Sequence, residues 1–175
     1  MYKNFEKKYS VDDLTVASGD VNRPDISDLI NKFGGKSFSK GLYRIHSSEA
    51  YEKWTSIVEE AFPKYKGKII CFGYDWLGRH FALSTVIDNQ IYLFEPGAGE
   101  VMNIPVGLAE FHNIDLVEYA NDALATNFHH EWLSIDDKPV GIYECIGYIK
   151  PLYLEGADEV SNLERCDMEV YWGIC

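Results

Sequence analysis

The sequence contains no apolar run approaching the roughly 20 residues needed to cross a bilayer. Its longest, around Lys68-Ile69-Ile70-Cys71-Phe72, is only strand-sized. The opening residues, MYKNFEKKYSVDDL, lack the apolar core of a signal peptide. These absences predict a cytoplasmic protein without membrane contact. Cysteine is sparse: Cys71, Cys145, Cys166 and Cys175 form no CxxC pair and have no histidine at zinc spacing. That predicts free thiols in a reducing compartment and no structural metal, with Cys71 and Cys145 placed in the core by their apolar neighbours. No Pro/Gly/Ser linker, internal repeat or low-complexity tract divides the chain. One domain over 24–175, preceded by an N-terminal extension over 1–23, accounts for the 175 residues.

Positive charge is missing from most of the chain. Residues 1–70 hold 12 Lys/Arg and 10 Asp/Glu, a net +2; residues 71–175 hold 4 and 18, a net −14. An acidic region of that size repels phosphate backbones, which argues against direct nucleic-acid binding. It attracts a basic partner and speeds their encounter. At 46% hydrophobic and 14% aromatic, the chain has enough apolar surface for a real core and none of the signature of disorder.

Catalytic motifs are also lacking. His129-His130-Glu131 are adjacent, so on a helix the two rings diverge by about 100°, and the i, i+4 spacing of HExxH is absent. His46 and His80 stand alone; His112-Asn113 suit a local hydrogen-bond network. Gly97-Ala98-Gly99 follows a strand but has no GxGxxG and is flanked by Glu95 and Glu100, which suits a hairpin turn better than a phosphate loop. Nothing in the sequence brings Asp75, Glu95 and Glu100 together, and there is no GxSxG elbow. No motif asks for a cofactor, a metal or a catalytic residue, and the expectation is a binding protein rather than an enzyme.

What is present reads as α+β, a mainly antiparallel sheet with helices packed against it. Pro24, Asp25 and Asp28 open a helix over 24–33 that Gly34-Gly35 stop. A strand over 42–46 leads to a Ser47-Ser48 cap and a helix to Phe62, with Tyr51, Trp54, Ile57, Val58, Ala61 and Phe62 on one face. Strand-like runs at 68–73, 80–86, 90–95 and 100–104 are separated by turn chemistry and predict a meander. Helical patterns follow at 107–112, 114–125 and 127–133, then a strand over 147–154 that Pro151 marks as an edge strand or one with a bulge. Asp167 caps a last helix from Met168 to about Ile174, with a strand as the alternative that its aromatic content allows. Asp75-Trp76-Leu77-Gly78-Arg79 is a tight corner in which Arg79 pairs with Asp75, or a partner contact through Asp75 and Trp76. Glu155, Asp158, Glu159, Glu164 and Glu169 lie within 15 residues against Arg165 alone, and are the candidate partner-binding acids.

Five ordered segments carry a resemblance: FGGKSFSKGLYRIH (33–46), FGYDWLGRHFAL (72–83), YLFEPGAGEVMNIP (92–105), EFHNIDLVEYANDALA (110–125) and NLERCDMEVYWGIC (162–175). Together they resemble the C-terminal domain of bacterial type VI secretion immunity proteins that neutralise DNase effectors, the part that follows a GAD-like domain in longer members. The resemblance spans roughly residues 24–175. It implies a cytoplasmic protein that binds and inhibits a cognate toxin, a basic nuclease, and so protects the producing bacterium. The alternative is a Smi1/Knr4-like interaction module with a non-toxin partner.

Overall fold

The computed structural model describes residues 1–175. Its centre is strand β3 (Ile69–Asp75), the apolar run singled out above, in which all seven residues are buried. A strand buried on both faces needs a layer on each side. Side-chain alternation supplies the two layers. Ile70 and Phe72 point into one cluster, with Phe81, Ile91 and Leu93 of the neighbouring strands. Ile69, Cys71 and Tyr74 point into the other, with Ala82, Tyr92 and Phe94.

The sheet has six antiparallel strands in chain order, β1 (Ser37–Phe38), β2 (Tyr43–Ile45), β3, β4 (His80–Ser84), β5 (Ile91–Glu95) and β6 (Glu100–Ile104). The expected meander is present. Gly97-Ala98-Gly99 is its last hairpin turn, with Gly99 N–H donating to the Glu95 carbonyl at 2.9 Å. A bulge between Cys71 and Gly73 kinks β3 against β4.

One face is covered by α3 (Tyr51–Ala61), through Trp54 and Val58, and by the last helix, through Met168, Tyr171 and Trp172. The other is covered by α1 (Lys3–Lys8), α2 (Ser27–Phe33) and an interrupted helical segment. That segment comprises α4 (Leu108–Glu110), a wider π-type turn (Phe111–Asp115), α5 (Leu116–Glu118), α6 (Ala120–Leu124) and α7 (Thr126–Leu133). The architecture is α+β, and a two-stranded ribbon of β7 (Glu144–Tyr148) and β8 (Leu163–Asp167) lies beside the main sheet. The chain ends in α8 (Met168–Ile174), where the Asp167 carboxylate accepts from Val170 N–H at 2.9 Å, the cap expected from the sequence.

Four local expectations need correction. Ser47 and Ser48 give α3 no side-chain cap; Ser48 Oγ instead accepts from Gly19 N–H at 2.8 Å, tying the N-terminal loop down. The first helix begins at Ser27 rather than Pro24, which sits in the preceding turn. The strand expected over 147–154 is β7, displaced to Glu144–Tyr148, and Pro151 opens a 3-10 turn beyond it. A proline has no N–H for a ladder, so pairing stops before it. The first 23 residues do not stand apart: Tyr2, Phe5 and Tyr9 are buried in the same cluster as Phe33, Phe38 and Tyr43. Asn4 N–H bonds Asn113 Oδ1 at 3.1 Å, and Tyr9 OH bonds the Leu116 carbonyl.

Candidate functional site

The Gly73–Gly78 corner turns inward. Asp75 and Trp76 are both completely buried. Trp76 Nε1–H donates to the Leu124 carbonyl at 3.0 Å, and its ring packs against Phe128 and His129. Gly78 has φ +74°, a left-handed conformation a side chain disfavours, and an added Cβ would come within 3.0 Å of Cys145. Partner contact through Asp75 and Trp76 is therefore overturned: Trp76 lies beneath α6 and α7, and the Asp75 carboxylate is enclosed with Arg79.

The expected Asp75–Arg79 pair is present and is the anchor of the region. Asp75 Oδ1 accepts from the backbone N–H groups of Leu77 (3.0 Å) and Arg79 (3.1 Å). Its Oδ2 meets Arg79 Nε at 2.7 Å and Nη2 at 2.6 Å, a two-pronged contact. Arg79 also donates to the Ala123 carbonyl at 3.2 Å and faces Glu95 Oε2 at 3.6 Å. Asp75 and Glu95 thus converge on one guanidinium, which sequence spacing did not show. Glu100 remains on the exposed edge strand. Burial alone would lower the Arg79 pKa; Asp75 and Glu95 more than offset it and hold the group above its ordinary value. Burial pushes the Asp75 and Glu95 carboxyls up, and Arg79 opposes both shifts.

Above Arg79 opens a hollow of about 310 Å³, walled by Leu77, Asn121, Phe128, Tyr148 and Leu152. Its ionic lining is one cation, Arg79, and two carboxylates, Glu95 and Asp158, over the buried Asp75. Asp158 accepts from Tyr148 OH at 2.6 Å and has no cation beside it among the ion pairs. The arrangement can accept a further positive group by charge-assisted hydrogen bonding.

Asp158 belongs to the loop joining β7 to β8. That loop exposes Ile149 (57%), Tyr153 (47%) and Leu154 (54%), together with Glu155 and Glu159. Apolar residues exposed this close together are the usual material of a protein contact. Residues 151–164 contain no Lys or Arg, so Lys150 at the loop's start is the one cation in it, against Glu155, Asp158 and Glu159. The acids of this loop were legible in the sequence; its apolar members were not, because 147–154 reads as a strand. Of the other candidates, Glu164 is exposed on β8, and Glu169 on α8 is paired with Lys53 at 2.5 Å. Arg165, the one local cation, is already held by Asp136 and Glu144, both at 2.9 Å.

The histidines are packed rather than gathered. His112 Nδ1–H donates to the Leu108 carbonyl at 2.7 Å, leaving Nε2 to accept from Tyr43 OH at 3.0 Å, the local network expected of it. His46, Tyr74 and His80 stack in sequence, with Trp54 against His80 at 4.4 Å. Burial pushes His80 down to about 3, and His112 and His129 to about 4. No three His, Cys, Asp or Glu side chains are placed to hold a metal ion. Arg44, which no sequence motif singles out, is buried and donates to the carbonyls of Glu144 (2.7 Å) and Asp75 (2.5 Å) while stacking on Tyr74. No helix is long and apolar enough to cross a membrane.

Neither a known family model nor a curated protein matches the chain. Among solved structures it is similar to Atu4351 from Agrobacterium tumefaciens, at 18% identity and a TM-score of 0.62, over 99% of this chain and 87% of that one. A likeness at that identity shows a shared α+β fold.

Proposed function

We propose that this chain is an immunity protein that binds and inhibits a cognate secreted toxin, a basic DNase effector, and acts by occupancy rather than by chemistry. The observation that carries the reading is the β7–β8 loop, where Ile149, Tyr153 and Leu154 are exposed among Glu155, Asp158 and Glu159. Apolar contact supplies affinity at such a surface, while uncompensated carboxylates steer and orient a basic partner. The adjoining hollow suits a lysine or arginine of the partner, which would meet Glu95 and Asp158 beside the resident Arg79. A nuclease surface that approaches DNA phosphates is rich in such side chains. The five resembling segments supply the kind of partner; the acidic balance after residue 70 agrees with it.

The test is binding and protection with the product of the neighbouring gene. A tight complex and survival of cells expressing that product support the proposal. Binding to a partner without toxicity favours the general interaction module instead, and no binding overturns both. Charge reversal at Glu155, Asp158 and Glu159 should slow association and flatten its salt dependence. Unchanged kinetics and salt slope would move the interface elsewhere.

A further inference from the structure

Cys145 and Cys166 are directly opposite each other in the β7–β8 ribbon, and their sulfurs are 3.6 Å apart. The bonds flanking them fix their position in the ladder. Met168 N–H donates to the Tyr143 carbonyl at 2.9 Å and Ile149 N–H to the Asn162 carbonyl at 2.8 Å. Counting by twos from either bond reaches Cys145–Cys166, so the two residues form a hydrogen-bonded pair. Such pairs have Cα atoms about 5.5 Å apart and side chains on one face, inside the range that a disulfide spans. Closing the remaining gap to about 2 Å needs side-chain rotation and no strand movement. Cys145 is completely buried; Cys166 is half-buried and is the sulfur a reagent reaches first. The thiol of Cys145 hydrogen-bonds to Cys166 and lowers its pKa, favouring the thiolate there.

We propose that Cys145 and Cys166 form a thiol–disulfide modification site whose co-substrate is a low-molecular-weight disulfide such as oxidised glutathione, and whose closure staples the base of the 149–162 loop. The Cys166 thiolate attacks one sulfur of the co-substrate, forming a mixed disulfide and releasing one glutathione thiolate. Cys145 then loses its proton and attacks the Cys166 sulfur, breaking the mixed disulfide and releasing the second glutathione. Two protein thiols are oxidised, one glutathione disulfide is reduced, and the two protons leave with the two glutathione thiols. The inference stands on the sulfur geometry and does not depend on what the loop binds.

The experiment uses the full chain carrying Cys175→Ser, which removes the exposed competing thiol. It is equilibrated in glutathione buffers from reducing to oxidising, trapped with N-ethylmaleimide, digested and analysed by mass spectrometry. The expected result is a linked Cys145–Cys166 peptide whose yield follows the buffer ratio and reverses on reduction. A second chain, Cys145→Ser with Cys175→Ser, should stop at a glutathione adduct on Cys166. If that variant does not fold, the linked peptide in the first chain decides the matter alone. A stable glutathione adduct on Cys166 with Cys145 intact, linkage to Cys71, or free thiols throughout would each overturn the proposal. Cleavage at Lys150 and Glu155 under native conditions should slow several-fold on oxidation; an unchanged rate would remove the stapling role.

Discussion

Replacing Asp75 with asparagine tests whether the inward corner is held by its ion pair. The substitution preserves shape. The asparagine side chain keeps an oxygen for the backbone N–H groups of Leu77 and Arg79, which in the wild-type chain contact Asp75 Oδ1 at 3.0 and 3.1 Å. Its amide nitrogen takes the place of Asp75 Oδ2, which Arg79 Nε and Nη2 meet at 2.7 and 2.6 Å, so donor meets donor. Arg79 is left buried with Glu95 as its nearest carboxylate, at 3.6 Å. Because Asp75 is fully buried and the Arg79 side chain is 8% exposed, solvent does little to screen the loss. Breaking one side of such a pair costs about 3–5 kcal/mol. For a chain of this size that corresponds to a fall in Tm of about 10 °C. Urea denaturation followed by tryptophan fluorescence measures it, alone and in a cycle with Arg79→Met. The double variant should recover about 2 kcal/mol relative to the sum of the single losses, since it leaves neither a buried unpaired guanidinium nor the Asp75 carboxylate, only the partly exposed Glu95 without its cation. A single-variant loss below about 1 kcal/mol, or strict additivity, would refute the assignment of this pair as the anchor.

Acid should destabilise the fold through its buried histidines. His80 near 3 and His112 and His129 near 4 lie below the ordinary 6.5, so the unfolded chain binds protons first. Their contribution is complete above pH 6.5 and is lost as pH falls toward 4, by roughly 1 kcal/mol per histidine between pH 7 and 5.5. The raised carboxyls of Asp75 and Glu95 act in the opposite sense at lower pH. Equal urea midpoints at pH 7.5 and 5.5 would contradict this. His46→Phe keeps the ring stack on Tyr74 and removes a buried Nε2 that has no partner, so stability at pH 7 should be unchanged or higher and the acid slope smaller. A marked loss at pH 7 would show that His46 has a polar task. Gly147→Ala places a Cβ 2.6 Å from the Tyr171 ring, so α8 must move; a cost of about 1–3 kcal/mol is expected, and thermal melting at wild-type temperature would count against that contact.

Local chemistry determined much of this fold. Turn residues between short apolar runs determined the meander from β3 to β6, since hairpins need only neighbouring chain. The capping carboxylate of Asp167 likewise determined where α8 starts. The amphipathic face of α3 marks Trp54 and Val58 as core by periodicity alone. The i, i+4 relation made the Asp75–Arg79 pair legible, because both ends lie in one corner.

The rest depends on contacts between distant residues, which no local pattern encodes. β1 is two residues long and β8 reads as a charged segment; each exists because a partner strand supplies its ladder. The N-terminal helix is polar except for Phe5, and only the aromatic cluster it enters shows that it belongs to the core. The sequence favoured a structural corner for Trp76 without settling it, because an aromatic at a glycine-bounded corner also suits a contact. Glu95 meets Asp75 at Arg79 only through sheet register, and Cys145 meets Cys166 only through ribbon register. The sequence by itself determined the fold class, the meander and the excess of acid over base after residue 70. The tertiary structure alone decided which acids lie free beside exposed apolar side chains and which are consumed in the core, because burial and pairing are properties of the packed chain.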